Sequence, residues 1–296
     1  MKNYTSVLII YNPNAMKGKI DEFIPKIKQR LLLRFPTVEA MSSPDIHGAE
    51  ALAFKHAGRF DIVLACGGDG TLHQVVNGVV KSKAEAVVGV LPFGTCNDVA
   101  RTLGIPHKLD KAIDCVLRFN TTQYDLMFDG SEYITYSMAT GYLVKSVYQP
   151  TNNTKKKFGR FAYFMYALKR VFKFKSLPLT ITYDNERVHG KFNYFMLMNG
   201  DYAGGFRINK GDDYANGKVK MVLIKASKGI ASFITFIKLF FFGVKSIRKS
   251  KYAIIKDVQQ VEIENHSNYP FTVDGEKAKF LKKKIKSTTE ITMIKK

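Results

Sequence analysis

Five consecutive residues, Gly67-Gly68-Asp69-Gly70-Thr71, carry the strongest chemical signal in the sequence. They follow an apolar run, Asp61–Ala65, and lead into Leu72, Val75, Val76, Val79 and Val80, which share one helix face. A glycine-rich turn between a buried strand and a helix lets the backbone approach a ligand closely. The helix start adds free N–H groups and the positive end of a dipole, a combination that suits phosphate. Asp69 is the odd member, because a carboxylate beside phosphate is repelled unless it organises Mg²⁺, takes a hydroxyl proton or orients a group that does. The structural alternative is that it N-caps the helix. Two more polar loops follow apolar runs: Asn12-Pro13-Asn14-Ala15 after Ser6–Tyr11, and Gly94-Thr95-Cys96-Asn97-Asp98 after Val87–Leu91. Each alone reads as helix capping, whereas three together read as a site. None matches a G-x-x-x-x-G-K-[ST] loop, a G-x-G-x-x-G fingerprint or the protein-kinase motifs.

For the three loops to meet, their strands must lie side by side in a parallel sheet. The first 126 residues alternate accordingly, with strands at Ser6–Tyr11, Val38–Met41, Asp61–Ala65 and Val87–Leu91. Helices are expected at Ile20–Phe35, Gly48–Ala57, after Thr71, toward Leu103 and ending with Ile113–Phe119. That order predicts a mostly parallel sheet covered on both faces, with ligands beyond the carboxyl ends of its strands. From about Tyr124 the pattern turns β-rich, with runs at Tyr133–Met138, Leu179–Tyr183, Tyr194–Met198, Val219–Ile224, Tyr252–Ile255, Gln259–Glu264, Phe271–Val273 and Glu290–Ile294. The expected architecture is therefore α/β: an N-terminal α/β nucleotide-binding domain, 1–126, and a C-terminal antiparallel β-sandwich domain, 127–296. Helical insertions fall near 155–175 and 229–250, and the last strand is a candidate to return to the first domain.

Forty-six Lys and Arg against 25 Asp and Glu give a formal net charge of +21, which points to an anionic partner. Two long stretches, 134–183 and 214–256, hold no acidic residue. There Lys155, Lys156, Lys157, Arg160, Lys238, Lys245, Arg248, Lys249 and Lys251 interleave with phenylalanines and tyrosines. Basic helices with bulky apolar faces suit an anionic membrane surface, and otherwise the aromatics pack on the β-domain and the lysines face solvent. Single-stranded nucleic acid fits the same pattern, but no nucleic-acid-binding signature accompanies it, so no nucleic-acid partner is expected. Three cysteines without CxxC spacing argue against a disulfide framework or cysteine zinc site, and fit a reduced, cytoplasmic compartment. Phe233–Val244, the longest apolar stretch, is too short for a membrane span. An exposed strand edge would allow a homodimer.

Taken in order, the motifs resemble the catalytic domain of the soluble bacterial diacylglycerol kinases, a lipid kinase family related to sphingosine kinases and NAD kinases. The resemblance rests on Tyr11-Asn12-Pro13-Asn14, on Gly67 to Thr71 followed by Val75-Val76-Asn77-Gly78, and on Leu91-Pro92-Phe93-Gly94-Thr95-Cys96-Asn97-Asp98. Farther along come Asn199-Gly200, Gly204-Gly205-Phe206 and Val273-Asp274-Gly275-Glu276. It implies transfer of the γ-phosphoryl of ATP, with Mg²⁺, to the hydroxyl of diacylglycerol or a similar membrane lipid, in phospholipid biosynthesis at the inner membrane face. By the same resemblance, Asn12, Pro13, Asn14, Ala15, Ser43, Gly67, Gly68, Asp69, Gly70, Thr71, Leu72, His73, Thr95 and Asn97 bind the nucleotide.

The resemblance makes Asp274 and Glu276 candidate proton acceptors, with Asp69 a third, favoured for Mg²⁺. Asp125, Asp213 and Asn216 become further metal candidates, with Asp212 upstream. The segment Tyr214-Ala215-Asn216-Gly217 departs from the acidic D-D-G run of similar enzymes, so either Asp212 and Asp213 substitute for it or that second metal site is weakened. An NAD kinase, or a catalytically silent nucleotide- or lipid-binding protein, is the alternative. The late V-D-G-E and the basic aromatic segments argue against the first, and the intact acidic residues against the second.

Overall fold

A computed structural model describes residues 4–43, 45, 48–142, 176–227 and 230–296. The expected helical insertion near 155–175 lies outside the described residues. Strands β1 (Ser6–Tyr11), β2 (Thr37–Ser42), β3 (Ile62–Gly67) and β4 (Val87–Pro92) form a parallel sheet in the order β4-β3-β1-β2. Val7–Ile10 and Ile62–Cys66 have no exposed surface, so both faces of this sheet are covered. Helices α1 (Ile24–Leu31), α2 (Gly48–His56), α3 (Asp69–Lys81), α4 (Asp98–Thr102) and α5 (Leu109–Arg118) complete this part. α1 packs on α5 and α2 on α3. The helix expected over 20–35 is shorter than its apolar spacing predicted. Residues Ile20–Glu22 form a separate 3-10 turn, and α1 begins with Pro25 in its first turn, where a missing N–H costs nothing.

The second part is antiparallel. Its strands are β5 (Asn120–Phe128), β6 (Tyr133–Ile134), β7 (Ser137–Gly141), β8 (Leu177–Tyr183), β9 (Glu186–Met198), β10 (Tyr202–Ala203), β11 (Phe206–Arg207), β12 (Val219–Lys225), β13 (Ala253–Val258), β14 (Gln260–Asn265), β15 (Phe271–Val273), β16 (Glu276–Ala278) and β17 (Lys282–Lys295). The thirteen-residue β9 pairs β8 along its first half, and β7 and β12 along its second. Its two halves thus serve two partner sets around a core of Met138, Leu179, Phe195, Leu197, Val261 and Phe271. Helix α6 (Ala231–Phe242), at the insertion expected near 229–250, lies on β9 and β12 through Phe236 and Leu239.

The expected single strand Tyr133–Met138 is two strands. Thr135 and Tyr136 leave the ladder because their N–H groups point to the Asp274 carboxylate. β17 links the two parts: it pairs β14 and β5 antiparallel, then meets β4 in parallel at Met293 and Val88.

Candidate active site

Glycine geometry brings two of the three polar loops into contact. A methyl group on Gly94 would overlap the Cα of Gly68, so no side chain separates the β3–α3 loop from the β4–α4 loop. Phe93 N–H donates to Gly67 O at 2.8 Å across the same junction. Asn97 then closes the second loop on itself. It adopts a left-handed conformation (φ 52°), its Oδ1 accepts from Gly94 N–H at 2.9 Å, and its Nδ2 donates to Gly94 O at 2.8 Å.

Asp69 opens α3 but does not cap it. Its oxygens accept the backbone N–H groups of Asn97 (2.8 Å) and Asp98 (2.6 Å), so it caps the neighbouring helix α4 instead. Burial raises its pKa against these amides, and the charge of Asp274 adds to the rise. Asp98, which sequence reasoning left as a helix-start residue, is the carboxylate beside it. It is fully buried, and its Oδ1 accepts from Gly205 N–H at 2.8 Å. Its Oδ2 has no hydrogen-bond partner. Burial first, then the Asp69 charge, push Asp98 up to about 7. In the sequence it is the last residue of the polar loop Gly94–Asp98, which Asp69 holds through two backbone amides.

In front of these loops lies a cleft of about 200 Å³. Asn12, Ser43, Gly68, Gly70, Thr71 and Glu276 line it as expected, together with Asp45, Ala49 and Gln74. Gln74 lies one helical turn beyond Gly70 on α3, a spacing that could have flagged it. A Cβ on Gly70 would meet nothing within 4 Å, so a ligand has direct access to backbone there. Gly67 lies beneath Thr71, and Asn14 folds onto Asn12, whose Oδ1 accepts its N–H at 2.9 Å. Pro13 and Ala15 sit in that same turn, closed by Ala15 N–H on Asn12 O. Thr95 is exposed in the β4–α4 loop. Leu72 does not fit a binding role through its side chain: it is 1% exposed, within the hydrophobic core, as the helix periodicity requires.

Asp274 and Glu276 separate clearly. Asp274 and Gly275 form the two-residue turn joining β15 to β16, both with positive φ (45° and 89°), the geometry of an Asp-Gly hairpin. The Asp274 carboxylate points inward and accepts from Thr135 N–H (2.5 Å), Thr135 Oγ1 (2.7 Å), Tyr136 N–H (3.0 Å), Ser137 N–H (3.0 Å) and His73 Nδ1 (2.8 Å). Burial alone would raise its pKa, but the His73 bond and the backbone amides outweigh burial and lower it. A carboxylate so occupied is a poor proton acceptor. Glu276 is exposed and lines the cleft.

The metal candidates are not gathered into one cage. Among the described residues, no three His, Cys, Asp or Glu side chains are grouped to hold a metal ion. Asp69 and Asp98 nonetheless suit Mg²⁺ in its usual manner, one or two carboxylates plus phosphate oxygens, since Asp98 has an unpartnered buried oxygen. The second set fits less well. Buried Asp125 accepts from Gly217 N–H at 2.6 Å, whereas exposed Asp213 and Asn216 accept from Ala215 and Lys218 in their own turns. Asp212 turns to Gly200 N–H. Asp201, not expected from sequence, closes the loop by accepting from Gly211, Asp212 and Arg207.

Two family models match the chain: the diacylglycerol kinase catalytic domain over residues 6–128, and the YegS C-terminal NAD kinase beta sandwich-like domain over 137–289. A diacylglycerol kinase of Staphylococcus haemolyticus is 30% identical over 199 residues, covering 67% of this chain and 60% of that protein. One from Staphylococcus saprophyticus is 29% identical, with 65% of its length covered, so the match spans less than two thirds of either relative. A Staphylococcus aureus diacylglycerol kinase is 27% identical over 271 residues, 90% of this chain and 85% of that protein. A crystal structure of a Bacillus anthracis diacylglycerol kinase shares the fold with a TM-score of 0.79 at 22% identity, covering 100% of this chain and 98% of that one.

Proposed function

The chain belongs to the diacylglycerol kinase family, and from that premise we propose that it transfers the γ-phosphoryl of ATP to the hydroxyl of diacylglycerol or a similar membrane lipid. One observation carries the reading: Glu276, from the β-sandwich, and the bare backbone at Gly68 and Gly70, from the α/β part, line one cleft. Phosphoryl transfer is mainly positioning and charge stabilisation, which suits a glycine floor facing the exposed Glu276 carboxylate. The N-terminal amides of α3, with Asn12, Ser43 and Thr71, hold the phosphates of ATP. Asp69 and Asp98 would hold Mg²⁺, which when bound would supply positive charge to offset the build-up on the transferred group. Glu276 takes the proton from the lipid hydroxyl as its oxygen bonds to the γ-phosphorus and the bridge to the leaving diphosphate breaks. Asp274 and Asp125 position this set without touching the reacting atoms.

The expected test is transfer of radiolabelled γ-phosphate, with diacylglycerol in anionic mixed micelles and NAD offered in parallel. Label should enter phosphatidic acid in wild type and fall by at least about a hundredfold in Glu276→Gln, with ATP binding retained. Label in NADP, or wild-type transfer by Glu276→Gln, sinks the assignment.

The substrate resides in a bilayer, and α6 supports a docking role at the cytoplasmic membrane face. Phe236 and Leu239 are buried, while Ile230, Ile234, Phe241 and Phe242 are exposed, Phe242 at 74%. Lys238, Lys245, Arg248 and Lys249 are exposed around them. No helix among the described residues is long and apolar enough to cross a membrane. Among the described residues β13 pairs only β12 and β2 pairs only β1, and an open strand edge of this kind would allow two copies to join.

A further inference from the structure

Helix α3 places Asp69, His73 and Asn77 four residues apart, so they form one polar stripe along the junction between the two parts. Both ends of the stripe have structural partners. Asp69 holds α4, and Asn77 exchanges hydrogen bonds with Tyr133 at the start of β6, its Nδ2 donating to Tyr133 O (2.7 Å) and its Oδ1 accepting Tyr133 N–H (2.9 Å). The middle residue reaches farther. His73 Nδ1 lies 2.8 Å from Asp274 Oδ2, with the two side chains 15% and 1% exposed. Asp274 is the first turn residue of the hairpin whose next strand begins with Glu276. The hairpin is therefore tied at two points: to Thr135–Ser137 by backbone amides, and to α3 by the imidazole.

Building on the lipid-kinase reading above, we propose that His73 is a positioning residue: through Asp274 it holds the β15–β16 hairpin so that Glu276 stays at the mouth of the α3 loop. The charges acting on His73 come from Asp274 and Glu276 of the hairpin and from Glu132 in the loop before β6, and Asp69 stands one turn back on its own helix. Burial disfavours the imidazolium, but the bond and charge of Asp274, with Glu132 and Glu276, outweigh it and raise the pKa of His73. The tie is a charge-assisted bond whose strength follows the state of the ring.

Two variants separate the tie from the ring. His73→Ala removes the donor, whereas His73→Asn keeps an N–H near the place of Nδ1 without a titrating group. Hydrogen exchange over 271–278 should quicken by at least about tenfold in His73→Ala, with kcat falling by about as much and KM for ATP within about twofold. His73→Asn should regain most of both. Wild-type exchange and kcat in His73→Ala overturn the proposal, and so does a His73→Asn enzyme as slow as His73→Ala with its hairpin protected, since the ring itself would then do the chemistry. Should His73→Ala not fold, the stability margin of wild type over His73→Asn decides. A raised imidazole pKa contributes stability that is full below about pH 6.5 and lost as pH rises through the folded-state value. The margin should shrink between pH 6 and 8.5, and a flat margin overturns the proposal. Exchange and stability need no lipid. If they respond while wild type phosphorylates no lipid, the tie stands and the lipid-kinase reading fails.

Discussion

Asp98 is the residue at which stability and the proposed function pull apart. Its Oδ2 is buried without a partner, beside the carboxylate of Asp69. Its folded-state pKa of about 7 lies above an unfolded value of about 3.9, so the folded protein binds more protons between them and stability falls as pH rises through that window. Asp98→Asn keeps the acceptor for Gly205 N–H and removes the charge. It should raise the melting temperature at pH 8 by roughly several degrees and much less at pH 5, while weakening Mg²⁺-dependent ATP binding in calorimetry. No gain at pH 8 would mean that the carboxylate is already compensated. At this scale the sequence is readable where chemistry is local. Gly67 to Thr71 announce themselves by type and by position between strand and helix. The division of labour between Asp274 and Glu276 was not readable, because the donors that fix Asp274 come from His73 and Thr135–Ser137, well over a hundred residues away. His73 itself stands just past the phosphate loop, and its spacing gives no hint of a partner across the junction.

Among the elements, two glycines in the same site make opposite demands. Gly94→Ala would force the β3–α3 and β4–α4 loops apart against backbone, and should cost roughly 1–3 kcal/mol in denaturant unfolding along with nucleotide binding. Gly70→Ala meets nothing within 4 Å, so it should leave unfolding within about 1 kcal/mol of wild type and weaken ATP alone. Equal destabilisation by both would contradict the packing described for the two loops. Periodicity located the helices and most longer strands of the described residues, because burial on one or both faces writes itself into apolar spacing, but it missed the nine-residue β5 across the expected boundary at 126 and the short β10, β11 and β16. It failed where a tertiary group competes with the ladder, as at Thr135-Tyr136, and where proline resets a helix start, as at Pro25. For α6, the sequence allows either packing on the β-domain or exposure, and one helix does both: Phe236 goes inward and Phe242 outward.

For the whole molecule, a net charge of +21 favours an anionic surface, and the outward side of α6 is the proposed docking face. Ile230→Ser with Phe242→Ser should reduce binding to anionic vesicles about tenfold or more in a flotation assay, leaving the melting temperature and ATP affinity unchanged. Added salt should weaken what remains, since basic side chains near the surface are screened over about 10 Å. Vesicle binding unaffected by the double change would move the docking face elsewhere. Fold class was legible from the order of apolar runs, and so was the return of the last strand to the first domain, but not its mixed pairing, since parallel and antiparallel partners leave the same mark in sequence. That strand has a bearing on how the protein is made. β4 waits for Met293 of β17, about two hundred residues downstream. At some 5–20 residues per second, a ribosome leaves that edge of the nascent parallel sheet uncovered for roughly 10–40 s, long enough for chaperone capture or mispairing to compete with completion.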